Sequence, residues 1–162
     1  MAENAKHDGV HEYRASINWT GAASGFDGYE TYDRTHQISI DGKPTLTTSS
    51  DPAFLGQHEL WNPEDMMIAA ISSCHMLSYL ACCARARITV KSYIDDAWAQ
   101  MLEDGKGGGY FSDALIRPRV VIAEAGKVEH AIRLHNTAHK VCFIANSVNF
   151  PIRCEPEIVV AD

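Results

Sequence analysis

The sequence lacks the features that mark several large classes of protein. Its first ten residues are polar and contain no apolar run of the kind that forms a signal peptide. The 14 Lys and Arg residues are scattered, and the formal net charge is -7. Nucleic acids and anionic membrane surfaces are bound by clusters of basic residues. We therefore expect a cytoplasmic protein with neither a nucleic acid nor a membrane as its partner.

The cysteines lack the spacing and the even number of a disulfide framework. There are five of them and no C-x-x-C pair. In a reducing compartment, such cysteines are free thiols, redox centres or ligands rather than structural disulfides. The five positions are Cys74, Cys82, Cys83, Cys142 and Cys154.

The length and the order of elements indicate an α+β fold. The chain has 162 residues, of which 46% are hydrophobic, and it shows no internal repeat. We expect a flexible N-terminus over 1–12 and one domain over 13–162. Strands are predicted up to residue 49, with a hairpin at Asp41-Gly42, and a loop is predicted over 51–61. Helices are predicted over 63–87 and 127–141. Further strands are predicted over 88–102, 110–123 and 154–160, which suits antiparallel sheets. Pro118 lies inside the second of these, so we expect a sheet edge or a bulge there.

The clearest element is the helix that begins after Asn62. Pro63 suits its first position, and Glu64 places negative charge in its first turn. Apolar residues lie on nearly every face, which predicts a buried helix. Serines and a histidine interrupt the apolar run, so we interpret it as a core helix rather than a membrane span.

Cys74 lies inside this helix and has two interpretations. A free cysteine in a helix is often inert packing, and burial raises the pKa of a thiol. The positive end of the helix is about 18 Å away, too far to ionise Cys74. Neighbouring serines and His75 form a polar seam, which favours a functional thiol. A reactive Cys74 therefore needs a cation from another segment.

Cys142 ends the second predicted helix. It is either a small hydrophobic residue that closes the helix or a resolving cysteine that condenses with a sulfenic acid on Cys74. The two cysteines are 68 residues apart in the sequence, so spacing alone does not establish contact. We expect Cys82, Cys83 and Cys154 to pack in the core.

Histidines offer an alternative site. His135, His139 and Cys142 form H-x-x-x-H-x-x-C, which places three possible metal ligands on one helical face. The intervening residues lack the glutamate of a zinc-protease helix. We favour a protein without metal or cofactor, in which the other histidines are surface or structural residues: His7, His11, His36, His58, His75 and His130.

Two stretches resemble the motifs of the OsmC/Ohr family, the osmotically inducible protein C and organic hydroperoxide resistance proteins. Asn62-Pro-Glu, followed by Cys74-His, is similar to the motif of the family's central helix. Cys142-Phe-Ile-Ala-Asn146 is similar to its second cysteine motif. Together with the order of strands, the resemblance covers nearly the whole chain from about Tyr13.

The resemblance implies an intertwined homodimer in which antiparallel sheets pack around long central helices. It also implies a cysteine-based peroxidase that reduces organic hydroperoxides in oxidative-stress defence and is restored by a dithiol reductant. A non-catalytic protein that binds a small molecule or acts in a stress response, on the same fold, is the alternative. Phe143 stands where many relatives have proline, which indicates a divergent branch.

The resemblance also implies roles for particular residues. Cys74 would be the peroxidatic cysteine, and Cys142 the resolving one. Glu64 would orient an arginine against the reactive thiol. An arginine suits this role because a guanidinium stays charged at every working pH. Arg34 is our choice for that arginine, and Arg14 is the second choice.

Overall fold

The structure is a computed structural model, and it describes residues 9–21 and 26–161. The contacts within the chain divide it into two compact units, 1–63 and 64–162. Most of the predicted flexible N-terminus, 1–12, lies outside the described residues. The single domain over 13–162 stays a prediction.

The first unit contains a three-stranded antiparallel sheet. Its strands are β1 (Ser16–Asn18), β2 (His36–Ser39) and β3 (Leu46–Thr48), in the order β1-β2-β3. The hairpin predicted at Asp41-Gly42 joins β2 and β3. Gly42 has a φ of 72°, in the left-handed region that glycine adopts without a steric penalty. The strands are shorter than predicted, but the hairpin is confirmed.

The loop over 51–61 folds back on this sheet. The Asp51 carboxylate accepts a hydrogen bond from the Ala53 N–H at 2.7 Å, which caps a 3-10 turn over Pro52–Phe54. At the other end of the loop, the Ser49 N–H donates to the Trp61 carbonyl at 2.9 Å. The predicted loop therefore has a defined local structure.

Helix α1 spans Pro63–Arg85, two residues fewer than predicted. Arg87 ends it in the left-handed conformation, with a φ of 55°. The Ile88 N–H donates to the Cys83 carbonyl at 2.9 Å and the Arg87 N–H to the Ala84 carbonyl at 3.1 Å. This pair of bonds is the Schellman arrangement, which satisfies the last free carbonyls of a helix.

Only one stripe of α1 is buried within the chain, so the prediction of a helix buried on all sides is wrong for a single chain. The core of the second unit covers one face, whereas Leu77 on another face is 61% exposed. By length and composition alone, α1 could also cross a membrane, a test that core helices of soluble proteins pass as well. The buried residues of α1 are Ile71, His75, Tyr79, Cys82 and Cys83.

The second unit has two three-stranded sheets, ordered β4-β7-β9 and β5-β6-β8. Each contains one antiparallel pair and one parallel pair, so the prediction of wholly antiparallel sheets is wrong. The parallel pairs arise because helix α2 (Val128–Val141) is a crossover between earlier and later strands. The strands are β4 (Val90–Asp95), β5 (Trp98–Glu103), β6 (Gly109–Ile116), β7 (Pro118–Ile122), β8 (Ile152–Cys154) and β9 (Glu157–Val160).

Each of the three strands predicted in this unit divides into two. Near one division, the Arg117 N–H donates to the Asp95 carboxylate at 2.6 Å, which fixes the break between β6 and β7. Pro118 was expected at a sheet edge or a bulge, and this is wrong, because β7 lies between β4 and β9. The proline opens the strand, where a missing N–H is tolerated.

The main core of the second unit joins α1 and α2 to β7. Burial of apolar side chains on these elements is the dominant favourable term in folding. Cys82 and Cys83 belong to this core, as predicted. Its buried members are Tyr79, Cys82, Cys83, Ile88, Val120, Ile122, Ala131, Leu134 and Ala138.

Candidate functional site

The thiols of Cys74 and Cys142 lie together in the second unit. Cys74 is half-buried in the middle of α1, and Cys142 is fully buried directly after α2. The Cys74 side chain lies close enough to Cys142 to raise the pKa of its thiol. All five cysteines are free thiols. Helices α1 and α2 pack into one core, and this packing brings together two cysteines that are 68 residues apart in the sequence.

The surroundings of Cys142 keep its thiol protonated. Burial and, as a smaller cause, the neighbouring Cys74 side chain together raise the pKa of Cys142 to about 11. Backbone N–H groups of Ala145 and Ile144 act against this, because they favour the thiolate. Burial is the largest effect, so Cys142 is a protonated thiol at neutral pH.

The second cysteine motif is a helix-ending device that holds Cys142 in place. The Asn146 N–H donates to the Cys142 carbonyl at 3.1 Å, and the Asn146 side-chain amide donates to the Lys140 carbonyl at 3.0 Å. Both bonds satisfy carbonyls near the end of α2, which have no partner within the helix. The spacing of Cys142 and Asn146 therefore has a structural reason. Phe143, the departure from the family pattern, is 80% exposed.

Glu64 and Arg34 belong to different units. Glu64 lies in the first turn of α1, ten residues before Cys74, and its side chain is half-buried. Arg34 lies in the first unit, two residues before the start of β2. Their roles beside the Cys74 thiol stay predictions.

Arg34 is held by aromatic residues of the first unit. Its guanidinium lies 4.0 Å from the centre of the Tyr32 ring and 4.8 Å from that of Tyr29. It also donates hydrogen bonds to the backbone carbonyls of both tyrosines. Arg14, the second choice, is an exposed side chain that pairs with Glu12 at 2.9 Å. Of the two arginines, Arg34 has the more ordered surroundings.

Arg34 lines a pocket of about 470 Å³ in the first unit. The wall is mainly apolar and aromatic, and a T-shaped contact between Trp19 and Phe26 forms part of it. A pocket of this size with one cation suits a small organic ligand with a polar or anionic group. The lining residues are Ile17, Trp19, Phe26, Tyr32, Arg34, His36, Ser49, Ser50 and Pro63.

A second cluster in the second unit joins His75, His135 and Cys154. The Nε2 atom of His75 lies 3.0 Å from Nδ1 of His135, and the Cys154 sulfur lies 3.8 Å from each of these nitrogens. The two imidazole rings are nearly parallel, and Tyr79 stacks on His135 at 3.8 Å between ring centres. These three residues come from α1, α2 and β8.

Burial controls the ionisation of this cluster. It lowers the pKa of His75 to about 4 and of His135 to about 3, so both imidazoles are neutral at physiological pH. Burial also raises the pKa of the Cys154 thiol to about 12, with Asp95 and Glu155 adding to the effect. All three groups are therefore uncharged in the folded protein.

The cluster corrects the grouping suggested by H-x-x-x-H-x-x-C. His135 faces His75 and Cys154, whereas Cys142 faces Cys74, so the three residues of that motif do not form one ligand set. Cys154 was expected to be simple core packing but is a half-buried neighbour of two histidines. The helical period of the sequence could have indicated that His75 is buried. His75 lies four residues from both Ile71 and Tyr79, which are on the buried stripe of α1.

The chain belongs to the OsmC-like protein family, whose sequence model matches residues 56–157. This confirms the family resemblance and, with the structural matches, the α+β fold of OsmC-like proteins. No curated protein matches the chain significantly.

Several solved structures have the same fold. An OsmC-like protein of unknown function from Vibrio cholerae is 31% identical, with a TM-score of 0.82, over 91% of this chain and 99% of that one. An organic hydroperoxide resistance protein from Elizabethkingia anophelis is 18% identical, with a TM-score of 0.66, over 94% and 98%. The OsmC protein from Legionella pneumophila is 14% identical, with a TM-score of 0.62, over 93% and 98%.

Proposed function

We propose that the protein is a thiol-dependent peroxidase that reduces hydroperoxides with Cys74 and Cys142. The observation that carries this proposal is the proximity of two thiols that are 68 residues apart in the sequence, close enough for Cys74 to shift the pKa of Cys142. One thiol is half-buried and the other is fully buried. This suits a nucleophile that a peroxide reaches and a neighbouring thiol that burial shields from the peroxide.

The proposed cycle has three balanced steps. The thiolate of Cys74 attacks the outer oxygen of ROOH, the O–O bond breaks, and the alkoxide leaves as ROH after taking up a proton. Cys74 is thereby oxidised to a sulfenic acid. The Cys142 sulfur then attacks the Cys74 sulfur, a disulfide forms, and water leaves. An external dithiol reduces this disulfide by exchange and becomes a disulfide itself.

Arg34 and Glu64 complete the proposed site. A guanidinium beside the Cys74 sulfur would favour the thiolate, and the carboxylate of Glu64 would orient the guanidinium. The aromatic surroundings of Arg34 and its place in an apolar pocket support its choice over the solvent-exposed Arg14. The names of relatives from E. anophelis and L. pneumophila, both organic hydroperoxide resistance proteins, support organic hydroperoxides as the substrate class.

Peptide mass spectrometry of the oxidised protein tests the proposal. One equivalent of an organic hydroperoxide added to reduced protein should yield one disulfide, between Cys74 and Cys142. The Cys74→Ser variant should consume no peroxide in a dithiol-coupled assay. Cys82→Ser, a buried cysteine of the same helix, is the matched control and should retain activity. Full activity of Cys74→Ser would contradict the mechanism.

We also propose that the protein acts as a homodimer in the cytoplasm. Apolar side chains on the uncovered faces of α1, among them Leu77 and Met67, are exposed in the single chain. Surfaces of this kind are commonly covered by a partner subunit. Analytical ultracentrifugation should give twice the chain mass of 17.9 kDa. A monomer at micromolar concentration would contradict the dimer, and recovery in a membrane fraction would contradict the location.

The apolar pocket favours binding without catalysis as a second candidate function. It has the size and the aromatic lining of a small-molecule site. A binding protein would show saturable quenching of Trp19 fluorescence by an apolar carboxylate, and no turnover of peroxide with any dithiol. Turnover that requires Cys74 would decide against this alternative.

A further inference from the structure

The cluster of His75, His135 and Cys154 has the composition of a metal site. Two neutral imidazoles and a cysteine sulfur are a common donor set for borderline and soft transition metals. The three donor atoms lie within 4.8 Å of one another, and both histidines are almost completely buried. No part of the peroxidase proposal uses these residues.

The distances within the cluster match the edges of a metal coordination tetrahedron. For zinc bonds of about 2.05 Å to nitrogen and about 2.3 Å to sulfur, tetrahedral angles require about 3.3 Å between two nitrogens. They require about 3.6 Å between nitrogen and sulfur. The observed separations are 3.0 Å between the nitrogens of His75 and His135, and 3.8 Å from each to the Cys154 sulfur. Shifts of about 0.3 Å would therefore complete the geometry.

The ring nitrogens that lie near the Cys154 sulfur are the inner ones, Nε2 of His75 and Nδ1 of His135, and they also lie next to each other. The outer nitrogens, Nδ1 of His75 and Nε2 of His135, are buried and have no hydrogen-bond partner among the described residues. The two inner nitrogens and the sulfur are therefore the donor atoms placed for one shared ion.

The geometry points to a site in which His75 Nε2, His135 Nδ1 and Cys154 Sγ bind one divalent transition-metal ion, with Zn²⁺ as the best fit. On binding, the Cys154 thiol releases its proton to solvent, and the imidazole that donates within the pair changes tautomer, so that its proton moves to the outer nitrogen and both inner nitrogens bind the ion. This departs from the prediction of a protein without metal.

The surroundings of the cluster suit a cation. The Asp95 carboxylate acts electrostatically on both His75 and Cys154, and it is fixed by hydrogen bonds from Ser72 at 2.5 Å and from the Arg117 N–H. Such a carboxylate partly balances the charge of a bound ion. Because the three ligands come from α1, α2 and β8, the ion would cross-link distant parts of the second unit.

Metal titration of the reduced, chelator-treated protein tests the site directly. Zn²⁺ should bind with one equivalent per chain in competition with a chromogenic chelator. Co²⁺ should give the near-ultraviolet charge-transfer band of a thiolate ligand. Cys154→Ser should weaken Zn²⁺ binding at least a hundredfold and remove the band, since even loss of a supporting residue costs 10–100-fold.

Two matched controls identify the ligands. His139→Ala removes the other histidine of the H-x-x-x-H-x-x-C sequence, and Cys74→Ser removes a thiol from the redox pair. Both variants should keep the Co²⁺ band and one equivalent of Zn²⁺. Failure of the wild-type protein to bind one equivalent would overturn the site. So would a band that survives Cys154→Ser or disappears in Cys74→Ser.

A labelling experiment on the wild-type protein gives a result that does not depend on the folding of any variant. Saturating Zn²⁺ should slow alkylation of Cys154 more than tenfold, read by peptide mass spectrometry, because a metal-bound thiolate is a poor nucleophile toward the reagent. The alkylation rate of Cys74 should not change. Equal rates at Cys154 with and without Zn²⁺ would refute the assignment.

Discussion

The reactivity of Cys142 toward an alkylating reagent follows from its burial. The reactive form of a thiol is the thiolate, and the pKa of Cys142 is raised to about 11. At pH 7 a thiol of this pKa is ionised to about one part in 10⁴, against about three parts in 100 for an unperturbed thiol. The population of the reactive form is thus about 300-fold lower.

Intrinsic nucleophilicity offsets part of this difference. A thiolate of higher pKa is more nucleophilic, with a Brønsted coefficient of about 0.4–0.5, which gives back about tenfold over 2.5 pKa units. We therefore expect Cys142 to react at least about 20-fold more slowly than an exposed peptide thiol at pH 7. Its complete burial slows the reaction further.

The pH dependence separates ionisation from steric protection. The rate at Cys142 should rise about tenfold for each pH unit from 7 to 10, because the thiolate fraction grows until the pH passes the pKa. The rate of an exposed reference thiol should level off above about pH 9. Reduced protein would be treated with iodoacetamide at each pH, and the labelling of each cysteine followed by peptide mass spectrometry.

The control is Cys74→Ala, which removes the neighbouring thiol but leaves Cys142 buried. Burial is the first cause of the raised pKa, so labelling of Cys142 in this variant should become only modestly faster. A Cys142 that reacts as fast as the reference thiol at pH 7, with a plateau above pH 9, would refute the reasoning. It would mean that the thiol is not held in a buried position.

Three further predictions concern stability, each measured by urea unfolding. Gly56→Ala should lower the free energy of unfolding by about 3 kcal/mol or more, because the added Cβ would lie 1.6 Å from the Ser50 carbonyl oxygen. Gly126→Ala should leave it nearly unchanged, because nothing lies within 4 Å of the new carbon. Ile116→Ala should cost about 2–5 kcal/mol, because the side chain is fully buried in β6 and would leave a cavity. Asn146→Ala should cost about 1 kcal/mol, because it removes one side-chain bond to the last turn of α2. Equal stabilities of the Gly56 and Gly126 variants would contradict the first of these predictions, and wild-type stability of the other two variants would contradict the rest.

Local features of the sequence determined where the main elements lie. The start of α1 at Pro63 was predicted from the few residues around that position, and the hairpin at Asp41-Gly42 from that dipeptide. Both predictions are confirmed. The two cysteines were identified through the resemblance of their surrounding residues to the motifs of the family. Local propensity and periodicity act over a few residues, so they transfer directly from sequence to structure.

The pairing of distant strands could not be predicted in this way. The order of strands and helices favoured antiparallel pairing throughout the sheets. Strands β8 and β9 instead pair in parallel with β6 and β7. The direction of a pairing depends on how α2 crosses between the strands, and no local pattern encodes that path. For the same reason, long continuous strands were predicted where the chain bends near Asp95 and Arg117.

Local sequence was enough to locate the helices, the hairpin and the two cysteine motifs. The pairing of Cys142 with Cys74, and of His135 with Cys154 and with His75 60 residues away, follows only from the folded chain. His135 and Cys142 lie seven residues apart, yet they belong to different clusters. Their partners are chosen by the packing of α1, α2 and β8, where burial of the whole core outweighs any preference of a single residue.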